Sequence, residues 1–282
     1  MKSKLFLYRI KRFLINSFSL LDWRVRFIFF YFYNPIFNKI VKEQNLDLKK
    51  IPIIIINFNQ LEYLKKLIDF LVKNDYENIV VIDNNSTYPP LLNYYEKIND
   101  LANVIKMKTN QGHRVFWKNK GLYQIYGKGY YVISDSDIEP NDNCPKDFLL
   151  HFKKILDKNK NVIKVGFSLR INDIPDSNKH KSKILNWEKQ FWDKKDRNDN
   201  YISEIDTTFA LYRPINQFNL KFFYKAIRTK SPYIAKHGGW YIDHENLTEE
   251  QDFYMKTANG SSSWKVDNKG EVLEGMYKQY LK

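Results

Sequence analysis

Three apolar runs rich in β-branched residues, each followed within two residues by Asn or Asp, constrain the fold of this chain more than any other feature. The runs are 51–56, 79–82 and 130–133. A continuous apolar run without alternation is typical of a strand that is buried on both faces, as in parallel sheets. A helical stripe follows the first run and carries Leu61, Leu64, Leu67, Ile68, Leu71 and Val72. Buried strands that alternate with amphipathic helices predict an α/β domain.

The same alternation continues along the chain. Five further elements are expected: helices near 91–98, 118–126 and 184–192, and strands at 104–107 and 161–167. Asn59 precedes the first amphipathic helix and is expected to be its N-cap. Thr248 and Gln251 form a capping-box pattern, which predicts a last helix over 249–258.

Polar side chains follow several of the predicted strands. Asn57, Asp83, Asn110 and Asp135 each stand just after one. Because ligands of α/β sheets bind outside the carboxyl ends of the strands, these side chains should converge on one crevice. Asp135 and Asp137 lie one residue apart at a rigid strand end, where two carboxylates can hold a hard divalent cation that in turn holds phosphates. The alternative interpretation of this acidic pair is a solvated turn.

Four short motifs occur in a fixed order in the first half of the chain. They are Ile-Ile-Ile-Ile-Asn-Phe-Asn (53–59), Val-Val-Ile-Asp-Asn-Asn-Ser-Thr (80–87), Asn-Gln-Gly (110–112) and Ser-Asp-Ser-Asp (134–137). As a set they resemble the nucleotide-sugar half of family 2 glycosyltransferases with the GT-A fold. The resemblance covers about residues 51 to 140. It implies a Rossmann-like, mostly parallel central sheet flanked by helices, and an inverting reaction with a single in-line displacement at the sugar carbon.

The resemblance also implies roles for these motif residues. Asp83 would bind the nucleobase or ribose, and Asp135 and Asp137 would hold Mn²⁺ or Mg²⁺ on the donor diphosphate. A UDP-sugar is the first expectation for the donor. The other expected nucleotide-sugar-binding residues of the motifs are Asn57, Asn59, Asn110 and Gly112. The acidic pair often found before the last helix in this family is not clearly present, so the resemblance does not assign a catalytic base.

A candidate base lies in the second half of the chain, in a predicted strand over 204–214. Alternation along this strand places Glu204 and Asp206 on the face opposite an apolar row. Transfer to a hydroxyl needs a base that takes its proton, and a carboxylate suits this step. Asp206 is the first candidate and Glu204 the second. The alternative for both is an ordinary salt-bridging role.

A second constellation surrounds Gly238 and Gly239. His237 is a competent ligand for manganese, and the glycines would let the backbone approach a metal closely. Arg228 and Lys236 are expected to hold the leaving diphosphate. A structural histidine is the alternative for His237. Trp187 and Trp192 are candidates for stacking on a sugar, or alternatively for core packing.

The formal net charge of +14 is concentrated at the start of the chain, where residues 1–43 hold nine basic and two acidic residues. Phe, Tyr and Trp lie between these charges, which favours a helical arm, 1–47, that lies on an anionic membrane surface. The alternative is an arm packed on a catalytic domain of 48–282. The apolar run 27–37 is shorter than the roughly 20 residues that span a bilayer. No motif supports nucleic-acid binding.

These features together predict a metal-dependent enzyme that transfers a sugar from a nucleotide diphosphate-sugar to a hydroxyl of a glycan or glycolipid, as in polysaccharide biosynthesis. A single cysteine, Cys144, excludes an intrachain disulfide and favours a reducing, cytoplasmic location, peripheral on the inner face of a membrane. Two alternatives stay open: a non-catalytic glycan-binding protein, and a phosphotransferase with Asp135 as nucleophile. In haloacid-dehalogenase-like enzymes a Thr stands where this chain has Glu139.

Overall fold

A computed structural model describes residues 25, 34, 36–214 and 223–258 of the chain. The strands, in chain order, are β1 (Ile53–Asn57), β2 (Ile79–Asp83), β3 (Asn103–Lys106), β4 (Tyr131–Asp135), β5 (Ile138–Pro140), β6 (Lys164–Leu169), β7 (Tyr201–Ile202), β8 (Ala210–Tyr212) and β9 (Ala226–His237). The α-helices are α1 (Lys39–Leu46), α2 (Glu62–Lys73), α3 (Pro89–Lys97), α4 (Val115–Lys118), α5 (Lys120–Tyr126), α6 (Phe148–Lys158), α7 (Lys181–Glu188) and α8 (Glu249–Thr257).

One sheet organises the described residues, in the order β3-β2-β1-β4-β8-β6-β9-β5, with β7 paired to β9. The first four strands of this order are parallel, and β6 is parallel to β9. The antiparallel strands are β5, β7 and β8. The apolar runs of the sequence form β1, β2 and β4, and every residue of β1 and β2 is buried. The prediction of a mostly parallel α/β sheet flanked by helices is therefore confirmed.

Hydrophobic residues pack on both faces of this sheet, in two clusters. The larger cluster joins the apolar faces of α2, α3 and α6 to one face of the strands. The smaller cluster places Val115, Phe116 and Leu122, from α4 and α5, on the other face. Because both faces are covered, β1 and β2 need no alternation of polar and apolar residues.

The N-cap expected at Asn59 is wrong. Helix α2 begins at Glu62, and the residue before it, Leu61, makes no side-chain capping bond. Asn59 instead has a positive φ of 51° and lies in the loop before the helix. The Glu250 carboxylate of α8 accepts hydrogen bonds from the backbone N–H groups of Leu61 and Glu62. A distant carboxylate therefore replaces the local cap.

The strand expected over 204–214 is shorter than its pattern indicated. Only Ala210–Tyr212 forms a strand, β8, which lies between β4 and β6. Every residue of β8 is buried because helices cover both of its faces, so the alternation ends there. Before β8 the alternation does hold, since Ile205 and Thr207 are buried while Glu204 and Asp206 are exposed.

The last part of the N-terminal arm packs against the sheet. In α1, Val41 and Gln44 are buried, and the Gln44 side chain makes two hydrogen bonds, of 2.7 and 2.8 Å, with the backbone of Tyr130. Asn38 donates to the carbonyl of Lys128. Most of the arm, including 27–33 and 35 of the apolar run 27–37, lies outside the described residues. Within the part of the chain that is described, no helix is long and apolar enough to cross a membrane.

Candidate active site

A cleft of about 660 Å³ opens at the carboxyl ends of β1 and β4. Its polar wall carries three asparagine side chains, two aspartates and one histidine, namely Asn57, Asn84, Asn110, Asp135, Asp137 and His237. Its aromatic wall includes Trp187, Phe191 and Trp240, which come from α7, the turn after it and the turn after β9. The strand-end residues of the sequence therefore gather at one edge of the sheet, as parallel strand order requires.

Asp135 and Asp137 lie next to each other in this cleft, in different surroundings. Asp135 is the last residue of β4, and the Thr207 hydroxyl donates to its Oδ2 at 2.6 Å. Burial and the neighbouring charge of Asp137 raise the pKa of Asp135 to about 8. Two carboxylates held close together in a buried place repel each other, and a bound cation would relieve that repulsion.

His237 reaches the acidic pair because β5 pairs antiparallel with β9, with Ile138 opposite His237. The Nδ1 atom of His237 lies 3.4 Å from Oδ2 of Asp137 and has no hydrogen-bond partner among the described residues. Trp240 stacks on the imidazole, with ring centroids 4.9 Å apart. A Cβ atom at Gly239 would lie only 3.2 Å from the His237 ring, so a glycine keeps this corner of the cleft open.

These donors suit a hard or borderline divalent cation. Carboxylate oxygens and an imidazole nitrogen are ligands that manganese accepts. Within the described ranges, no group of three or more His, Cys, Asp or Glu residues is arranged to hold a metal ion. The pair Asp137 and His237 therefore offers a partial coordination shell, with Asp135 beside it. The unpartnered Nδ1 of His237 fits such a role.

Two asparagines, Asn84 and Asn110, fix the loop around Gly112 at the edge of the cleft. Asn84 accepts a hydrogen bond from the backbone of Gln111 and donates to the carbonyl of Gly112, at 3.0 and 3.1 Å. Asn110 accepts from the N–H of Gly112, whose φ of 76° favours glycine. The sequence analysis did not single out Asn84, although it stands in the same Asp-Asn-Asn-Ser run as Asp83.

Asp83 and Asn59 support this side of the cleft from within the protein. Asp83 is buried and accepts from the Tyr95 hydroxyl and the backbone of Ser86, and Tyr95 accepts in turn from Asn57. The side chain of Asn59 bonds the backbone of Thr87 and Tyr88 and the hydroxyl of Thr257. Neither Asp83, Asn59 nor Gly112 is among the residues that line the cleft.

Of the candidate bases and cations, Glu204 and Asp206 line the cleft and are exposed. Arg228 also lines it, but its guanidinium is buried and pairs with Glu188 at 2.9 Å. Lys236 lies 3.8 Å from Glu139 and is not among the lining residues, so the structure does not bring it together with the other candidates. Neighbouring side chains on a strand point to opposite faces, so Lys236 and His237 diverge.

Among the lining residues that were not expected from the sequence are Thr207 and Glu250. Thr207 gave no local signal, because its partner Asp135 lies far away in sequence. Glu250 belongs to the capping-box helix, which the structure confirms at Thr248 and Gln251, but its carboxylate also lines the cleft. Burial raises the pKa of Glu250. Trp187 lines the cleft, whereas Trp192 is not a lining residue and packs on Tyr201 instead.

The sequence pattern of a known family covers most of this site. The model of glycosyl transferase family 2 matches residues 53–214, more than half of the chain. The chain therefore belongs to glycosyl transferase family 2. The matched region contains the four motifs, the acidic pair and the segment that carries Glu204 and Asp206, which confirms the resemblance and the GT-A fold drawn from the sequence.

Solved structures of glycosyltransferases resemble the chain at low identity. A mannosyltransferase from Pyrobaculum calidifontis, in complex with GDP-Man and Mn²⁺, is 14% identical with a TM-score of 0.43, over 76% of this chain and 61% of that one. TarS 1–349 from S. aureus is 15% identical with a TM-score of 0.39, over 67% and 60%. The chain thus spans about three fifths of the length of both. No curated protein matches it.

Proposed function

We propose that the protein transfers a sugar from a nucleotide diphosphate-sugar, a UDP-sugar as the first candidate, to a hydroxyl of a glycan or glycolipid, with inversion at the sugar carbon. The observation that carries this proposal is the contact between Asp137 and His237, which are 100 residues apart in the sequence, beside the half-buried Asp135. Family membership supports the transferase chemistry. The cleft beside these residues is large enough for a donor and an acceptor sugar.

Asp137 and His237, with Asp135 beside them, are the residues that would hold Mn²⁺ or Mg²⁺. When bound, such an ion acts as a Lewis acid that neutralises the diphosphate as it leaves. Few protein cations are available for that task, because Arg228 is paired with Glu188 and Lys236 lies outside the cleft lining. The asparagines of the lining, Asn57, Asn84 and Asn110, would contact the nucleotide.

Asp206 is the proposed base, with Glu204 as the second candidate. Both side chains are exposed in the cleft, on the segment that also places Thr207 against Asp135. An inverting transfer needs one base, which takes the proton of the acceptor hydroxyl as the oxygen attacks. The aromatic wall around Trp187 offers a flat apolar surface for the acceptor sugar.

An anionic membrane surface is the proposed location of the acceptor, with the protein peripheral on the cytoplasmic side. Helix α1 supports this proposal, because Val41 faces the domain while Ile40 is exposed between Lys39 and Lys42. Phe37, just before the helix, is 67% exposed. Exposed apolar residues mixed with lysines suit an interfacial helix.

The phosphotransferase alternative is disfavoured by the same geometry. A carboxyl that attacks phosphorus must be ionised and accessible. Oδ2 of Asp135 accepts a hydrogen bond from the Thr207 hydroxyl, and burial together with the charge of Asp137 raises the pKa of Asp135 to about 8, which disfavours the ionised form that an attack would need. A non-catalytic binding protein would bind a nucleotide sugar without turning it over, and is therefore an outcome of the test.

The test is release of UDP or GDP from UDP-glucose, UDP-N-acetylglucosamine, UDP-galactose and GDP-mannose, in Mn²⁺, in Mg²⁺ and in EDTA, with and without saccharide acceptors. We expect release from one donor, loss of release in EDTA and recovery on adding metal. Asp137→Asn should lower the rate at least about a hundredfold, whereas the exposed Asp142→Asn, outside the cleft lining, should not. Full turnover in EDTA, or none with any donor, would contradict the proposal.

A further inference from the structure

Two buried cations lie behind the segment that presents Glu204 and Asp206 to the cleft. Lys164, on β6, is fully buried, and its Nζ donates to the carbonyl of Asp206 at 2.9 Å and to the hydroxyl of Tyr212 at 3.0 Å. The ammonium also lies 3.7 Å from the centre of the Phe223 ring. Burial of an ammonium is costly, and an apolar side chain would fill this place at less cost. The position of Lys164 therefore calls for an explanation beyond packing.

Arg228 makes the matching contact from the neighbouring strand. Its Nε donates to the carbonyl of Glu204 at 2.8 Å, and its other contacts fix the guanidinium in place. One of these is the buried pair with Glu188 at 2.9 Å, and the other is the Phe191 ring, 4.2 Å away. Arginine, with its planar fork of donors, bonds several acceptors at once without moving.

The two contacts are related by the geometry of the sheet. β6 and β9 run parallel, with Gly166 opposite Arg228, so the two cations lie on adjacent strands. Glu204 and Asp206 are two residues apart, and in extended backbone the carbonyls of such residues face the same way. The segment between β7 and β8 is outside any strand. Lys164 and Arg228 therefore bond the carbonyls of Asp206 and Glu204, which lie in a segment without strand pairing.

The opposite side of the same segment faces the reaction. The side chains of Glu204 and Asp206 are exposed in the cleft, and Thr207 donates to Asp135 at 2.6 Å. The backbone N–H of Asp135 in turn donates to the carbonyl of Thr207. A small shift of this backbone would move the proposed base relative to the acidic pair, and misplacement by about 1 Å is enough to slow a reaction about a hundredfold.

We propose that Lys164 and Arg228 are positioning residues for glycosyl transfer, which act by holding the backbone of Glu204 and Asp206 so that the Asp206 carboxylate is aimed at the acceptor. This inference rests on the proposed function, with Asp206 as base. It gives Arg228 a role different from the diphosphate contact expected from the sequence. Neither cation needs to touch the substrate.

The test compares Lys164→Met and Arg228→Gln with wild type, using the fastest nucleotide sugar of the panel above. Saturated release of nucleoside diphosphate should fall at least about tenfold in each variant, because a misplaced base loses its contribution. The dissociation constant for UDP or GDP with Mn²⁺ should change less than about twofold, since the donor site is untouched. Lys153→Met is the control, because it removes a half-buried lysine that does not line the cleft. This variant should release nucleoside diphosphate at the wild-type rate.

A double-mutant cycle separates positioning from general damage to the fold. In an Asp206→Asn background, Lys164→Met should slow release less than about threefold, since its effect passes through Asp206. If Lys164→Met slows nucleoside diphosphate release as much in the Asp206→Asn background as in wild type, the inference is wrong. It is also wrong if Lys164→Met and Arg228→Gln both release at the wild-type rate. In either case the proposed function would still hold. If Lys164→Met does not fold, the cycle is run with Arg228→Gln. If Asp206→Asn releases nucleoside diphosphate at the wild-type rate, Asp206 is not the base, and the inference is then wrong as well.

Discussion

At the residue scale, the site depends on contacts that hold carboxylates in unequal environments. Asp135 is half-buried and accepts a hydrogen bond from Thr207, whereas Asp137 is buried beside His237. A hydroxyl that donates to a buried carboxylate favours the charged form of that carboxylate, which is the form that attracts a cation. Thr207 therefore supports the proposed metal site from outside the set of donors.

Thr207→Val should weaken binding of Mn²⁺ with UDP by about tenfold, because groups that orient metal ligands typically contribute that much or more. Thr207→Ser keeps the hydroxyl and should bind within about twofold of wild type. Titration calorimetry with Mn²⁺ and UDP measures both variants. Equal affinities of Thr207→Val and wild type for Mn²⁺ with UDP would show that the 2.6 Å contact does not support metal binding.

At the element scale, the sequence predicted strands better than it predicted contacts between distant elements. The β-branched runs identify β1, β2 and β4, because strands buried on both faces need apolar residues throughout. The N-cap at Asn59 failed because a carboxylate from α8 caps α2 instead. His237 was chosen for its chemistry and its glycines, but only the pairing of β5 with β9 brings it to Asp137. No local sequence pattern predicted that Lys164 and Arg228 bond the carbonyls of Asp206 and Glu204, since these residues are distant in sequence.

Glu250 connects α8 to the start of α2, and its substitution should lower the stability of the protein. Its carboxylate accepts from the first N–H groups of α2, where no local side chain caps the helix. Replacing such a cap typically costs about 1 kcal/mol. Glu250→Ala should lower the free energy of unfolding by about that amount in urea, whereas the exposed Glu249→Ala should change it by less than about 0.5 kcal/mol. Equal effects would contradict the capping role.

At the scale of the whole molecule, the sequence concentrates positive charge in the N-terminal arm. The arm holds much of the net charge of +14, and its last helix, α1, attaches to the sheet through Gln44. A rigid attachment of this kind would fix the orientation of the cleft relative to a membrane that binds the arm. Burial of Lys164 lowers its pKa, so the stability of the molecule is linked to pH.

The pH dependence follows from the sign of that shift. With its pKa lowered in the folded state, Lys164 binds its proton more tightly in the unfolded chain, so stability rises with pH until the unfolded pKa near 10.4 is reached. The free energy of unfolding of wild type minus that of Lys164→Met should therefore increase between pH 7 and pH 10, by at most about 1.4 kcal/mol per pH unit. Urea unfolding at several pH values measures it, and a flat or falling difference would contradict the burial of this ammonium.

Removal of residues 1–34 should release the protein from vesicles that contain anionic lipid, because it deletes most of the basic and aromatic residues of the arm. Turnover of a soluble acceptor should persist, since the lining residues that the structure describes all lie at or after residue 56. Removal through residue 46 should also lower the melting temperature, because the Gln44 contacts with Tyr130 are lost. Co-sedimentation with anionic and neutral vesicles at low and high salt tests this, and equal binding by full-length and shortened chains would favour a packed arm.

We propose that Asp137 and His237 hold the cation that carries the donor diphosphate, and this proposal can be tested by diffraction. Crystals soaked with Mn²⁺ and UDP, measured at the manganese absorption edge, test it directly. The account predicts one anomalous peak between the Asp137 carboxylate and the His237 imidazole, in contact with the diphosphate, and its absence in Asp137→Asn. UDP bound in the cleft without such a peak, or a peak that touches neither side chain, would contradict the account.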